Sequence, residues 1–173
     1  MDLKECKVDL PYPEPMVEAK NTYYGQILMD DFSGYVSEFT AINLYSFQHF
    51  SAEESNYKSY AETIKCISII EMYHLELLAE TIFKLGLVPK YMGSYSTWGQ
   101  PWNGCFVDYS RDITDMINIS IKSEIDAINN YKYHISLIND KYICKLLNRI
   151  ILDEQKHLEI FNKELKKVMK QQK

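Results

Sequence analysis

Glu71-Met72-Tyr73-His74 and Glu154-Gln155-Lys156-His157 are the two stretches whose reading decides the fold. Each sits inside a long run with helical apolar spacing. On an α-helix, residues i and i+3 share a face about one turn apart, so each Glu and His can point at one metal ion. Two such helices facing each other can hold two ions. With 4 His and 14 Glu in the chain, random placement gives about a third of one Glu-x-x-His. Two occur, both among Ile and Leu on core-facing stripes.

The remaining chain is read for two further helices and their ligands. A first helix is expected from Asp30 or Asp31 to Ser51, with an inward stripe of Tyr35, Glu38, Ala41, Ile42, Tyr45 and His49. Glu38 is the carboxylate in mid-stripe, and an unpaired buried carboxylate is costly, so it calls for a cation. The second helix starts near Ser51 or Ser55 and stops at Gly86, with Pro89 beyond it. Its stripe carries Glu71 and His74, while Glu76 and Glu80 fall on the solvent side. A third helix is expected from Asp112 or Thr114 to about Asn139, with Glu124 in mid-stripe. A fourth follows the Asn139-Asp140 turn, carries Glu154 and His157, and ends in a lysine-rich turn that suits the helix dipole.

Residues 86–111 interrupt this pattern with four of the six glycines, Pro89, Pro101 and both tryptophans, Trp98 and Trp102. About 25 residues can run the length of a roughly 40 Å helix, so the second and third helices are expected to be parallel. The tryptophans are read as packing along the bundle or against a partner subunit. Residues 1–23 form an arm with Pro11, Pro13 and Pro15, which favours extended backbone. Residues 24–173 form the bundle.

Composition limits the function. The net charge of −5 and pI near 5.4 disfavour nucleic acid as the main partner. No run of about 18 apolar residues suggests a membrane span, and the N-terminus lacks the apolar segment of a signal peptide. Cys6, Cys66, Cys105 and Cys144 make no Cys-x-x-Cys pair. Cys66 and Cys144 are expected as small buried residues in a reducing, cytoplasmic compartment. His49 and His134 follow no Glu by three and are read as structural or solvated.

One Glu on each of four helices, and a His three residues after it on two of them, match a di-metal carboxylate bundle. Four glutamates balance two divalent ions, and mixed carboxylate and imidazole ligands suit iron or manganese better than zinc or calcium. Tyr45 and Tyr131 each follow a candidate ligand by seven residues, so either hydroxyl can hydrogen-bond a ligand carboxylate.

Over about residues 24–168 the sequence resembles the ferritin-like superfamily, in particular its small bacterial rubrerythrin-like and manganese-catalase-like members. The resemblance rests on Ser37-Glu38-Phe39-Thr40-Ala41-Ile42, on Ile70 to Glu80, and on Ile151 to Glu159. It implies an all-α four-helix bundle with a long crossover between helices 2 and 3. Glu71 and Glu154 would bridge two Fe or two Mn ions, with Glu38 and Glu124 terminal and His74 and His157 one per ion. Glu71, Glu154 and Tyr45 would stand at the reacting centre. The chain has no rubredoxin cysteines, and Ala127 stands where rubrerythrins carry an extra Glu. In manganese catalases the fourth-helix Glu can act as a base, a role open to Glu154.

The implied activity is a di-metal oxidoreductase acting on hydrogen peroxide or dioxygen, as a homo-oligomer, with an external electron donor for the peroxidase version. Ferrous-iron oxidation and a non-catalytic structural metal site are the alternatives.

Overall fold

The computed structural model describes residues 2–171; Met1 and residues 172–173, at the ends of the expected arm and bundle, lie outside the described residues. Its elements are α1 (Leu3–Cys6), α2 (Thr22–Ser33), α3 (Glu38–Glu54), α4 (Lys58–Lys84), a short 3-10 turn (Gly104–Phe106), α5 (Ile113–Leu137) and α6 (Lys141–Gln171). Helices α3 to α6 are the expected four-helix bundle.

Helix boundaries follow local chemistry. Ser37 caps α3 by accepting from Thr40 N, Asp112 caps α5 through Thr114 N and Asp115 N, and Asp140 accepts from Tyr142 N and Ile143 N at the start of α6. Gly86 follows α4 at φ +94°, a left-handed conformation that glycine adopts without penalty.

The expected first helix is two. The chain is already helical at Thr22 and breaks between Ser33 and Glu38. Ser37 Oγ and Thr40 Oγ1 both donate to Gly34 O, so the break is closed by side chains in place of helical bonds. Gly34 lies under the crossover: a Cβ there would sit 2.5 Å from both Asp30 O and Ser96 Oγ. Asp30 Oδ1 accepts from Ser94 N, Ser96 N and Ser96 Oγ, which fastens the crossover to the end of α2. Tyr35, placed on the inward stripe by an unbroken helix, falls in this break and is 54% exposed.

Helix directions follow from contacts. Tyr131 reaches Glu38 while Tyr45 reaches Glu124, so α3 and α5 are antiparallel. α3 and α4 are joined by a tight turn at Asn56 (φ 62°) and run antiparallel, which leaves α4 and α5 parallel. Gln48 confirms this by meeting Tyr60, near the start of α4, and Met116, near the start of α5. The crossover therefore spans the bundle's length. Trp102 packs on it, with Nε1 donating to Thr40 Oγ1 at 2.9 Å and its ring edge-on to Phe39; Trp98 is 90% exposed.

The apolar core is split in two. One cluster centres on Tyr45, Ile64, Ile67, Ile117 and Phe161, the other on Leu78, Ile128, Leu147 and Ile150. Between them lies a polar layer.

Cysteine pairing departs from the sequence reading. Cys66 is buried, yet it is joined to Cys6 in a disulfide with Cα atoms 6.2 Å apart. The arm folds back across α4, a placement that a sequence separation of 60 conceals. A disulfide is at home in an oxidising compartment, and cytosolic ones are mostly transient or redox-sensing, so cysteine usage no longer argues for a reducing one. Cys144 stays free and half-buried. Among the described residues, no helix is long and apolar enough to cross a membrane.

Gly34→Ala is expected to destabilise the protein by about 1–3 kcal/mol, read as a lower midpoint in urea with an unchanged slope. An unchanged midpoint would show that the crossover is not seated on Gly34.

Candidate metal centre

Each of the four bundle helices delivers one buried glutamate to the polar layer, and α4 and α6 add a histidine one turn later. Glu38, Glu71, His74, Glu124, Glu154 and His157 are all at most 4% exposed. They form two overlapping groups, Glu38–Glu71–His74–Glu154 and Glu71–Glu124–Glu154–His157, with donor atoms within 4.8 Å of one another in each. All six residues singled out in the sequence are thus brought together.

The geometry separates two kinds of carboxylate. Glu71 Oε2 lies 3.0 Å from His74 Nδ1 and Oε1 lies 3.1 Å from His157 Nδ1. Glu154 does the same with its two oxygens, at 3.1 Å and 3.2 Å. Glu38 approaches His74 alone, at 3.8 Å, and Glu124 approaches His157 alone, at 3.7 Å. Two acids are shared between the groups and two belong to one group each.

Three carboxylates converge on each imidazole Nδ1, and one nitrogen carries at most one hydrogen. The deficit is visible: Glu71 Oε1 and Glu154 Oε1 are buried without a hydrogen-bond partner even though an imidazole nitrogen lies within 3.1 Å. Buried acceptors facing one another across so small a space are arranged for cations. The donor set, four carboxylates and two imidazoles, fits two transition-metal ions.

Protonation tells the same story. Burial, then the charges of Glu154 and Glu71, push Glu38 and Glu124 well above the usual carboxylate range. Burial would also raise Glu154, but hydrogen bonds from His157 and His74 outweigh it and hold it well below that range. Burial would lower His74 and His157; their carboxylate neighbours reverse this and raise both. Without metal, the layer keeps itself close to neutral with protons.

The surroundings are fixed by tyrosines and by the arm. Tyr45 Oη donates to Glu124 Oε1 and Tyr131 Oη to Glu38 Oε1. Each tyrosine thus serves the ligand on the opposite helix, not the one seven residues before it. His74 Nε2 lies 3.2 Å from Asp153 Oδ2. Asp153 also accepts from Tyr12 Oη and from Val8 N at 2.7 Å and forms an ion pair with Arg149, whose Nη1 lies 2.8 Å from Oδ1; Arg149 donates through Nε and Nη2 to Val8 O and Leu10 O. Burial would raise Asp153, but His74, Tyr12 and Val8 N hold it at about 2.

Tyr12, Arg149 and Asp153 were missed in the sequence. The available signal was Arg149 and Asp153 at i and i+4, with Asp153 directly before a ligand. His49 is structural, its Nδ1 3.0 Å from Ala61 O. His134 is buried and paired with Asp31 at 2.8 Å, so it is not solvated.

A narrow cavity of about 20 Å³ runs beside the six residues between α3 and α5, enough for about one water-sized molecule. Glu38, Glu71, Glu124 and Glu154 face it, with Ala41, Ser123 and Ala127 as small wall residues.

Residues 35–170 match the family described as Ferritin-like domain. The chain belongs to the ferritin-like family. Its relatives include a probable manganese catalase of Clostridium acetobutylicum, 27% identical, in an alignment covering 88% of this chain and 74% of that protein. The ferritin-like fold is shared with the solved manganese catalase KatB of Anabaena (TM-score 0.83, 21% identity, covering 92% and 78% of the two chains). It is shared too with the Mycobacterium tuberculosis bacterioferritin BfrA (TM-score 0.74, 21% identity, 88% and 89%). This ferritin-like chain therefore has the fold and the clustered acid–imidazole set of a di-metal protein.

Because Glu38, Glu124, His74 and His157 hold protons more tightly than usual, metal must displace them. Loading the apo-protein with Mn²⁺ is expected to release protons and to tighten as pH rises, measured by calorimetry in two buffers of different ionisation enthalpy. These four raised groups make the folded apo-protein bind more protons than the unfolded chain. Their contribution to stability is full below the unfolded values and is lost as pH rises through the raised folded ones. Glu154 and Asp153, lowered, act oppositely and matter only at the acid end. The apo-protein's melting temperature should thus fall from mildly acid to neutral pH and recover on loading; a rise without metal would contradict this.

Proposed function

We propose that this ferritin-like chain holds two manganese or iron ions on Glu38, Glu71, His74, Glu124, Glu154 and His157 and uses them to disproportionate hydrogen peroxide. The observation that carries the reading is the pair of overlapping groups. Two carboxylates belong to both and two imidazoles are separated by them, so the ions would be close enough to share one small molecule in the adjoining cavity. Support also comes from the relative in C. acetobutylicum, which bears the name of a probable manganese catalase. When bound, such a metal pair supplies a reservoir for two electrons and Lewis-acid polarisation of an oxygen.

The chain's own residues have definite tasks. Glu71 and Glu154, common to both groups, would be shared by the two ions, and Glu38 and Glu124 complete one group each. Tyr45 donates to Glu124 Oε1 and leaves Oε2 toward His157, while Tyr131 donates to Glu38 Oε1, the same oxygen that faces His74. Asp153 accepts from His74 Nε2 and so fixes Nδ1 as the atom facing the carboxylates. Glu154, whose carboxylate stays ionised in the apo-protein through hydrogen bonds from His157 and His74, would be shared between both groups as an anion. Ala127 and Ala41 leave room where larger side chains would fill the cavity.

A second reading, ferrous-iron oxidation, has a specific observation behind it: the same fold is shared with bacterioferritins, one of them described with a diiron site. The two readings differ in the reductant. Disproportionation consumes peroxide alone, whereas iron oxidation consumes ferrous ions with dioxygen or peroxide.

Manganese-loaded protein is expected to evolve dioxygen from peroxide with no added reductant, followed with an oxygen electrode. Absence of dioxygen together with rapid consumption of ferrous ions would favour the second reading. Glu71→Ala and His157→Ala should each lower the bound metal from two ions per chain to one or none by elemental analysis; two ions in both variants would remove these residues from the ligand set.

A further inference from the structure

The wall of the cavity carries a buried acid–imidazole pair that the ligand set does not use. Asp31, in the last turn of α2, lines the same cavity as Glu38 and Glu154 and is 2% exposed. Its Oδ1 and Oδ2 lie 2.8 Å and 2.9 Å from His134 Nδ1, and Oδ1 accepts from Asn130 Nδ2 at 3.0 Å. Asn130 also lines the cavity; His134, one turn further along α5, is 3% exposed. Between Asn130 and His134 on the same helix stands Tyr131, whose hydroxyl holds Glu38.

We propose that Asp31, oriented by His134 and Asn130, is the acid–base residue that takes a proton from peroxide in the cavity and later returns it. The proposal rests on the peroxide reading above. Conversion of one HOOH to O₂ releases two protons and two electrons. As the peroxide O–H bonds break, one proton forms an O–H bond on an Asp31 carboxylate oxygen and the other passes to solvent, from which it is returned in the second half. The electrons are those the loaded site stores. A second HOOH takes up both electrons and both protons, its O–O bond breaks, and two waters form. Protons and electrons balance with peroxide as both oxidant and reductant.

Three features suit Asp31 to this task. It stands on the cavity wall but is not a neighbour in sequence of any ligand, so a proton can rest there without being lost from the metal set. Burial raises the Asp31 carboxyl above its usual range although His134 pulls it back, and burial's downward pull on His134 is outweighed by Asp31. A group so placed holds a proton more readily than an ordinary aspartate. Finally, the pair shares one proton across a short contact, so a change at the carboxylate is felt at the imidazole. The charged or titratable groups bearing on the pair are Asp30 on α2, Tyr131 and Tyr133 on α5, and, around the cavity, Glu38 on α3 and Glu154 on α6.

The test uses the full chain. In zinc-loaded protein, which cannot cycle electrons, the His134 imidazole resonance is titrated by NMR with and without saturating azide. Azide in the cavity is expected to shift the His134 midpoint upward in wild type. In manganese-loaded Asp31→Asn, with two ions still bound, kcat should fall by about tenfold to a hundredfold, the alkaline-to-acid pH profile should flatten, and formate should restore part of the rate. His134→Gln, which keeps a donor, should lose less. A His134 midpoint indifferent to azide, or an Asp31→Asn enzyme with unchanged kcat and pH profile, overturns the proposal. If Asp31→Asn fails to fold, the wild-type azide titration still decides. An azide response in a protein that evolves no dioxygen would sink the peroxide reading while leaving Asp31 as the cavity's proton group.

Discussion

Four carboxylates and two imidazoles share one buried layer, and the rest of the structure is arranged to make that tolerable. Like charges within 4.8 Å repel by about 3 kcal/mol even at an effective dielectric constant near 20, and several such pairs meet here. The chain has only two ways to relieve this: protons or cations. Protons serve in the apo-protein, where Glu38 and Glu124 hold them against the ordinary tendency of glutamate. Cations displace them and leave each carboxylate with an electrostatic partner. The two apolar clusters above and below the layer keep the helices at the spacing this exchange requires.

The ligands repeat with approximate two-fold symmetry, but their support does not. On α6, Asp153 precedes Glu154, reaches His74 Nε2, and is itself held by Tyr12, Arg149 and Val8 N. On α4, the matching position before Glu71 is Ile70, and His157 Nε2 is buried with no hydrogen-bond partner. One imidazole is thus braced at Nε2 by an ionised acid, and the other has no polar partner at that atom. The arm that supplies Tyr12 is anchored at its other end by the Cys6–Cys66 disulfide, so a segment far from the bundle in sequence is part of one half of the site. An imidazole donating to an anionic carboxylate is the better electron donor, and the two halves are chemically unequal before any metal arrives.

Much of this was legible in the sequence for simple reasons. The i, i+3 spacing of Glu71–His74 and Glu154–His157 carries its geometry within one helix turn, and the lone mid-stripe acids Glu38 and Glu124 are conspicuous against apolar neighbours. The crossover announced itself through glycine and proline, and its length fixed the parallel run of α4 and α5. The features that escaped are long-range. That Tyr45 and Tyr131 reach carboxylates was expected, but which acid each would meet was not, because spacing along one helix says nothing about which acid faces it across the core. The break at Gly34 depends on Ser96, more than sixty residues away, and the Cys6–Cys66 bond on an arm that folds back. Asp31 and His134 looked ordinary because each becomes a buried pair only when α2 lies against α5.

The fold is shared by proteins named manganese catalase and proteins named bacterioferritin, so the chemistry of this chain must be governed by something beyond the fold. The divalent ions that fit such a site differ little in their demands on carboxylate and imidazole. What a protein can vary at low cost is the proton inventory around the metals and the room beside them. Here Ala41, Ser123 and Ala127 keep the room small, and a mineral-forming path needs far more. Asp31, Tyr131 and Glu154 surround that room with groups that hold protons at different strengths. The arrangement of acids one layer out from the six residues thus gives the cavity a proton inventory of its own, separate from the groups that would hold the ions.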